Sequence, residues 1–338
     1  MKEVHVDEIV SVIEKLFIDA NYNLSQNVLD TIKKSIDKEE SSVGKEVLRE
    51  LIKNANLARD EHIPICQDTG LAVTFMEVGQ DVHIIGGSLN DAINEGVRRG
   101  YAKGYLRKSA CHPFTRKNTG DNTPAIIHVK IVPGDKIKIT VLPKGGGSEN
   151  YGSVRMLVPS EGKEGVKTLV LEMVTKGGPN PCPPIIVGVG IGGNFETSAL
   201  LSKEALMEPL GKRSDDPEIA ALEEELLLAI NKTGIGPQGY GGIVTALDVH
   251  VKMMPCHIAS LPVAVNIQCH ACLLYTSDAA DDLLCVDLGG RRILKKKKQQ
   301  KSPFTTTPYP PPEPHRQLQT TNHQHQQLST SPLHCHAQ

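Results

Sequence analysis

Five cysteines in the first 271 residues, Cys66, Cys111, Cys182, Cys256 and Cys269, are the side chains whose chemistry most needs an account. In a reducing compartment, thiols are explained by metal binding or by burial rather than by disulfides. No pair has the C-x-x-C spacing of a zinc knuckle. Three stand where a backbone would present a side chain to a cavity. Cys66 lies in Pro64-Ile65-Cys66-Gln67-Asp68-Thr69-Gly70, a loop closed by glycine. Cys182 lies in Asn180-Pro181-Cys182-Pro183-Pro184, where prolines fix the chain and remove amide donors. Cys269 ends an apolar run, Val263 to Gln268. Spacing alone leaves metal binding and burial both open, because cysteine outside a disulfide is among the most buried residue types.

The elements that must position these thiols follow from periodicity. Apolar residues at helical spacing predict three opening helices. The first covers 6–19, with Ile9, Val10, Ile13, Leu16 and Phe17 inward. Ser25 and Ser42 are the expected caps of the second and third. A strand over 72–78 and a helix over 89–103 come next. Alternating strands over 125–132 and 136–142 are expected to form a hairpin through Pro133-Gly134-Asp135. Lys144-Gly145-Gly146-Gly147-Ser148-Glu149-Asn150 is too glycine-rich for helix or regular strand. A helix from Ser160 to about Lys176, a buried strand over 185–190, a helix over 217–231 and strands near 243–251 and 262–268 complete the pattern. Helices and strands mix without strict alternation, so the fold class expected is α+β, or an irregular α/β arrangement, with a helical N-terminal region.

The chain has 338 residues, with 37 Lys and Arg against 39 Asp and Glu, a formal net charge of −2. That balance argues against a nucleic-acid partner. No apolar run reaches the roughly 18–20 residues of a membrane helix. The first residues, Met1 to His5, have no secretory pattern, so a cytoplasmic location is expected. Composition changes after Ala271. Residues 272–338 carry a polybasic run, then Gln, Thr, Pro, Ser and His in excess. This segment reads as translated sequencing adapter or a disordered tail, outside the fold. His315, His323, His325, His334, Cys335 and His336 are therefore set aside as metal ligands. The expected folded domain is 1–271.

Six strings carry a resemblance: Ile65 through Gly70, Leu106-Arg107-Lys108-Ser109, Lys144 through Asn150, Asn180 through Gly193, Gly234 through Gly239, and Leu261 through His270. In order across residues 1–270, they resemble the class I fumarase and tartrate dehydratase family of iron–sulfur hydro-lyases, in its alpha-subunit form. The resemblance implies a 4Fe–4S cluster held by Cys66, Cys182 and Cys269, with one iron left open for substrate. It implies fumarate hydration to malate, with L-tartrate dehydration as the alternative. It implies substrate binding by Gln67, Arg107 and Gly146, and catalytic roles for Asp68 and His257. Arg107 offers a planar fork for a carboxylate. The glycine at 146 would let a backbone amide approach the ligand. The catalytic base is expected from a separate beta subunit, so a hetero-oligomer is implied and the chain alone is expected to be inactive or nearly so.

Each residue also has a plainer explanation. Arg107 could be a surface arginine, Asp68 a turn former, and His257 a satisfied core histidine. Cys111, Cys256 and His270 are read as structural or incidental. A competing motif is Gly188-Val189-Gly190-Ile191-Gly192-Gly193, which satisfies the dinucleotide-binding pattern after a strand and before a helix. Against it, no second strand ending in an acid follows about 20 residues on. The glycines are expected instead to bring a helix N-terminus near the cluster or a substrate carboxylate. A scaffold built on a structural metal would require a fourth ligand at fixed spacing, which is not found.

Overall fold

Strand β1 (Lys2–His5) leads into helices α1 (Val6–Tyr22), α2 (Gln26–Lys38) and α3 (Ser42–Glu61) in a computed structural model that describes residues 2–271 and 275–278. The apolar positions expected on α1 are buried, Ile13 and Phe17 completely. Ser25 caps α2 as expected, its hydroxyl accepting the Val28 amide. The third cap is Ser41 rather than Ser42. Ser41 has the extended backbone an N-cap needs and accepts the Gly44 amide, while Ser42 is already helical.

Strands β2 (Leu71–Gly79) and β3 (Val82–Ile85) follow, then helix α4 (Leu89–Lys103) and strands β4 (Ile126–Val132) and β5 (Ile137–Lys144). The expected β4–β5 hairpin does not form. β2 lies between the two strands, parallel to β4 and antiparallel to β5. The Gly134 turn passes over the end of β2 instead, where Gly134 O accepts the Asp81 amide and Lys136 O accepts that of Gly79. Closeness in sequence lost to the larger buried face that β2 offers in the middle of the sheet.

A single helical turn, α5 (Gly146–Glu149), occupies the glycine string that was expected to be irregular. After it come β6 (Ser153–Leu157), α6 (Gly162–Gly177), β7 (Ile185–Gly192), α7 (Phe195–Ala205), α8 (Pro217–Asn231), β8 (Ala246–Met254) and β9 (Leu261–Gln268). These strands form a second sheet in the order β6-β9-β7-β8. Strand β10 (Tyr275–Asp278) pairs with β5, so four residues beyond Ala271 join the first sheet. The rest of the segment set apart by composition, including its His and Cys tract, lies outside the described residues. The fold is α+β, as expected.

The glycines of the dinucleotide-like motif serve packing. A Cβ on Gly188 or Gly190 would run into the main chain of α7 at Ser202 or Ser198. The glycines therefore let α7 lie directly on β7. The strand is flanked by parallel β8 and antiparallel β9, which is not the all-parallel setting of a nucleotide fold. The N-terminus of α7 follows the C-terminal end of β7, the sheet end opposite to Cys182. It does not approach the thiols, contrary to the expectation.

Candidate active site

Strand register brings the three thiol-bearing segments together. Cys182 lies three residues before β7, and Cys269 directly follows β9. These strands are antiparallel, with Ile186 opposite Gln268, so both thiols sit at the same sheet end. Cys66 lies before β2, whose first residue, Leu71, pairs with Lys144 at the end of β5. The Lys144 ammonium, 2% exposed, then crosses to the second sheet and donates to Ile267 O at 2.9 Å.

The glycine turn is the hub of this meeting. Asp68 Oδ2 accepts the Gly146 amide at 2.8 Å, and Oδ1 accepts that of Gly70 at 3.1 Å. On the other side, a Cβ on Gly147 would lie 3.1 Å from Asn180 O, two residues before Cys182. Gly70 adopts φ +72°, and a Cβ there would lie 2.5 Å from the Lys144 amide nitrogen. The cysteine loop can press against β5 only because residue 70 is glycine. Thr69 Oγ1 donates to Arg107 O at 3.0 Å, which fastens the exposed Arg107 segment beside the same loop. Gln67 is exposed there as well.

His257 is not brought to this site. It precedes β9, and Cys269 follows that strand. Eight extended residues at about 3.3 Å each separate the two by roughly 26 Å. The histidine lies in an exposed loop with Cys256 and Ile258, its Nδ1 accepting the Ala259 amide.

A family profile described as "Fumarate hydratase (Fumerase)" matches residues 10–273. The chain belongs to the class I fumarase family. It is a hydro-lyase of the alpha-subunit type. A protein of Methanocaldococcus jannaschii with the provisional name L(+)-tartrate dehydratase subunit alpha is 41% identical over 270 residues, 78% of this chain and 95% of the relative. Proteins of Escherichia coli K12 and O157:H7, each named L(+)-tartrate dehydratase subunit alpha, are 34% identical over 274 residues, 80% of this chain and 90% of theirs.

Among the described residues, no group of three His, Cys, Asp or Glu side chains closes on one point as a single-ion site would. An iron–sulfur cluster makes a different demand, because each thiolate meets a different iron around a larger body. This fumarase-family chain meets that demand in four respects. Three cysteines stand on three loops that meet at one turn. The Asp68 amide points at Cys66 Sγ, 3.4 Å away, a donor that a metal-bound sulfur can accept. The outer face of Gly146 is open, since a Cβ there would meet only Asp68 Oδ2, at 3.9 Å. Cys182 is exposed, and Cys66 and Cys269 are half-buried, so all three edge a space rather than fill a core.

The charges behind the turn were not singled out from the sequence. Glu149 pairs with Lys144 at 3.0 Å and Lys203 at 2.6 Å. Burial pushes the Glu149 carboxyl up, but the two ammonium groups outweigh it and hold it at about 2. Burial also lowers the Lys203 pKa, with Glu149 opposing. Lys144 and Glu149 flank the glycine string with opposite charges, a signal that could have been read. Lys203 comes from α7 and left none. His270, read as incidental, is buried with Nδ1 3.0 Å from Cys182 O. Burial lowers its pKa, against a smaller opposing effect of that carbonyl.

Among the described residues, no helix is long and apolar enough to cross a membrane.

Proposed function

We propose that this chain is the alpha subunit of an L(+)-tartrate dehydratase and that residues 1–271 form its catalytic domain. Cys66, Cys182 and Cys269 hold a 4Fe–4S cluster in this reading, and a separate beta subunit supplies the catalytic base. The observation that carries it is the match to relatives of that name over nearly their whole length. Dehydration of tartrate breaks the C–O bond of one hydroxyl-bearing carbon and the C–H bond of its neighbour. Water leaves, and the enol that remains tautomerises to a keto-dicarboxylate. The cluster, when bound, supplies an open iron as Lewis acid, making hydroxide a better leaving group.

This chain's own side chains do the rest of its share. Arg107 receives one carboxylate in its planar fork. Gln67 hydrogen-bonds a substrate oxygen. The open face of Gly146 gives the dianion room against the main chain. Asp68, beside Cys66, orients a substrate hydroxyl while its two amide bonds keep it in place. His257 lies at the opposite end of β9 from Cys269, so this reading assigns it no contact with the substrate. The cytoplasm, whose reducing conditions keep thiols available, is the compartment this reading favours.

Fumarate hydration is the second reading, favoured by the family description. Malate differs from tartrate by one hydroxyl. A site that hydrogen-bonds that hydroxyl rejects the analogue lacking it by about 10⁴-fold. The test is anaerobic reconstitution of the full chain with iron and sulfide, and assay with its beta-type partner on L-tartrate, malate and fumarate. A four-iron cluster lost in Cys66→Ser, Cys182→Ser and Cys269→Ser but kept in Cys111→Ser and Cys256→Ser, with tartrate preferred, is the expected result. Preference for malate and fumarate selects the second reading. A chain whose iron is indifferent to these three cysteines refutes both.

A further inference from the structure

Cys182 has a left-handed backbone, φ +57°, without being glycine. Such a conformation persists only where its surroundings over-determine it. Here the surroundings are two side chains that take the carbonyls on either side of the Cys182–Pro183 bond. His270 Nδ1 lies 3.0 Å from Cys182 O. A carbonyl can only accept, so Nδ1 carries the hydrogen, and the imidazole is the Nδ1–H tautomer or its protonated form. Gln238 Nε2 is also near that nitrogen, at 3.4 Å, but two donors cannot bond each other. Gln238 is engaged elsewhere: its Nε2 and its backbone amide both donate to Pro183 O, each at 2.7 Å. The Cys182 amide closes the set by donating to Pro179 O at 2.9 Å.

The histidine doing this is the residue after Cys269. It is 8% exposed, so water competes little for its hydrogen bond. Cys182 precedes β7 and Cys269 follows β9. The main-chain ladder between those strands ends at Ile186 and Gln268. Beyond that point, the bond from His270 to Cys182 O ties the two thiol-bearing segments together.

We propose that His270 is a positioning residue of the thiol site: its Nδ1–H clamps the Cys182 carbonyl and, with Gln238 on Pro183, fixes Cys182 and Cys269 relative to each other. This rests on the reading of these cysteines as cluster ligands, so the test separates the two. Asparagine can place an amide donor near the position of Nδ1, whereas glutamine places it one bond further out. The full-length chain is prepared as wild type, His270→Ala, His270→Gln and His270→Asn. Amide hydrogen exchange is measured without iron. Iron release to a chelator is measured after anaerobic loading with iron and sulfide.

Exchange at the Cys182 amide rises about tenfold in H270A and H270Q and returns toward wild type in H270N, because the lost bond frees this loop alone. Iron release follows the same order. Unchanged exchange at Cys182 in H270A overturns the clamp. Exchange rising throughout the chain in all three variants also overturns it, since His270 would then only fill the core. A wild-type chain that takes up no iron, with the exchange pattern as expected, supports the clamp and overturns the cluster reading.

Discussion

Asp68 Oδ2 and the Gly146 amide meet at 2.8 Å, joining two loops whose residues stand 78 apart in the chain. The other carboxylate oxygen holds Gly70, so Asp68 fixes both the loop of Cys66 and the turn that faces Asn180. An aspartate held by two main-chain amides keeps a constant orientation, which suits a group that must meet a substrate hydroxyl.

Asp68→Asn tests this directly. Asparagine keeps one acceptor and loses the charge. Turnover by the assembled enzyme should fall by about 10² or more, with iron content close to wild type. Unchanged turnover would reduce Asp68 to the turn former that its Asp-Thr-Gly context also allows.

Gly146→Ala separates substrate room from stability. A Cβ at this position meets only Asp68 Oδ2, at 3.9 Å, so the unfolding free energy should hold within about 0.5 kcal/mol, read by urea denaturation. The methyl group instead occupies the face assigned to substrate, and KM should rise about tenfold or more. A fold-destabilised variant, or one with unchanged KM, contradicts this assignment.

What the sequence discloses and what it hides have physical reasons. The local backbone around Cys66, Cys182 and Cys269 was legible because each lies in a short string whose prolines, glycines or strand end set it. The placement of β2 between β4 and β5 was not, because two distant segments won over a near hairpin on buried area. His257 was named through the resemblance alone, and the strand between it and Cys269 was not weighed. Twelve positions from Cys269 would be close across a turn, but β9 is extended between them. Lys203 reaches Glu149 from an ordinary amphipathic helix, and only the packing of α7 reveals it.

Glu39 is the strongest stability test away from the site. Its carboxylate is 1% exposed and accepts the amides of Glu40, Ser41, Ile243 and Val244. It thereby ties the α2–α3 turn to the segment that follows the Gln238 loop. Burial alone would raise its pKa, but the four amide bonds prevail and lower it. Glu39→Ala leaves the buried Val244 amide and three part-buried amides without their acceptor and should cost ~3 kcal/mol, read by urea denaturation. A loss below ~1 kcal/mol would mean that water replaces the carboxylate.

Glu149 makes the stability depend on acid. Its folded-state pKa of about 2 lies below the ordinary value of 4.5, so the unfolded chain binds its proton first as pH falls. The stabilisation is complete above about pH 4.5 and is lost as pH falls towards about 2. Glu149→Gln removes that charge at every pH, leaving Lys144, 2% exposed, without its counter-ion. The melting-temperature gap between wild type and E149Q should therefore be largest near neutrality and narrow through that acid window. Because Glu149 is 39% exposed, salt screens part of the effect, and the neutral-pH gap should shrink at high ionic strength. A gap constant from pH 6 to pH 3 would show that glutamine's hydrogen bonds, and not the charge, decide how the turn is held.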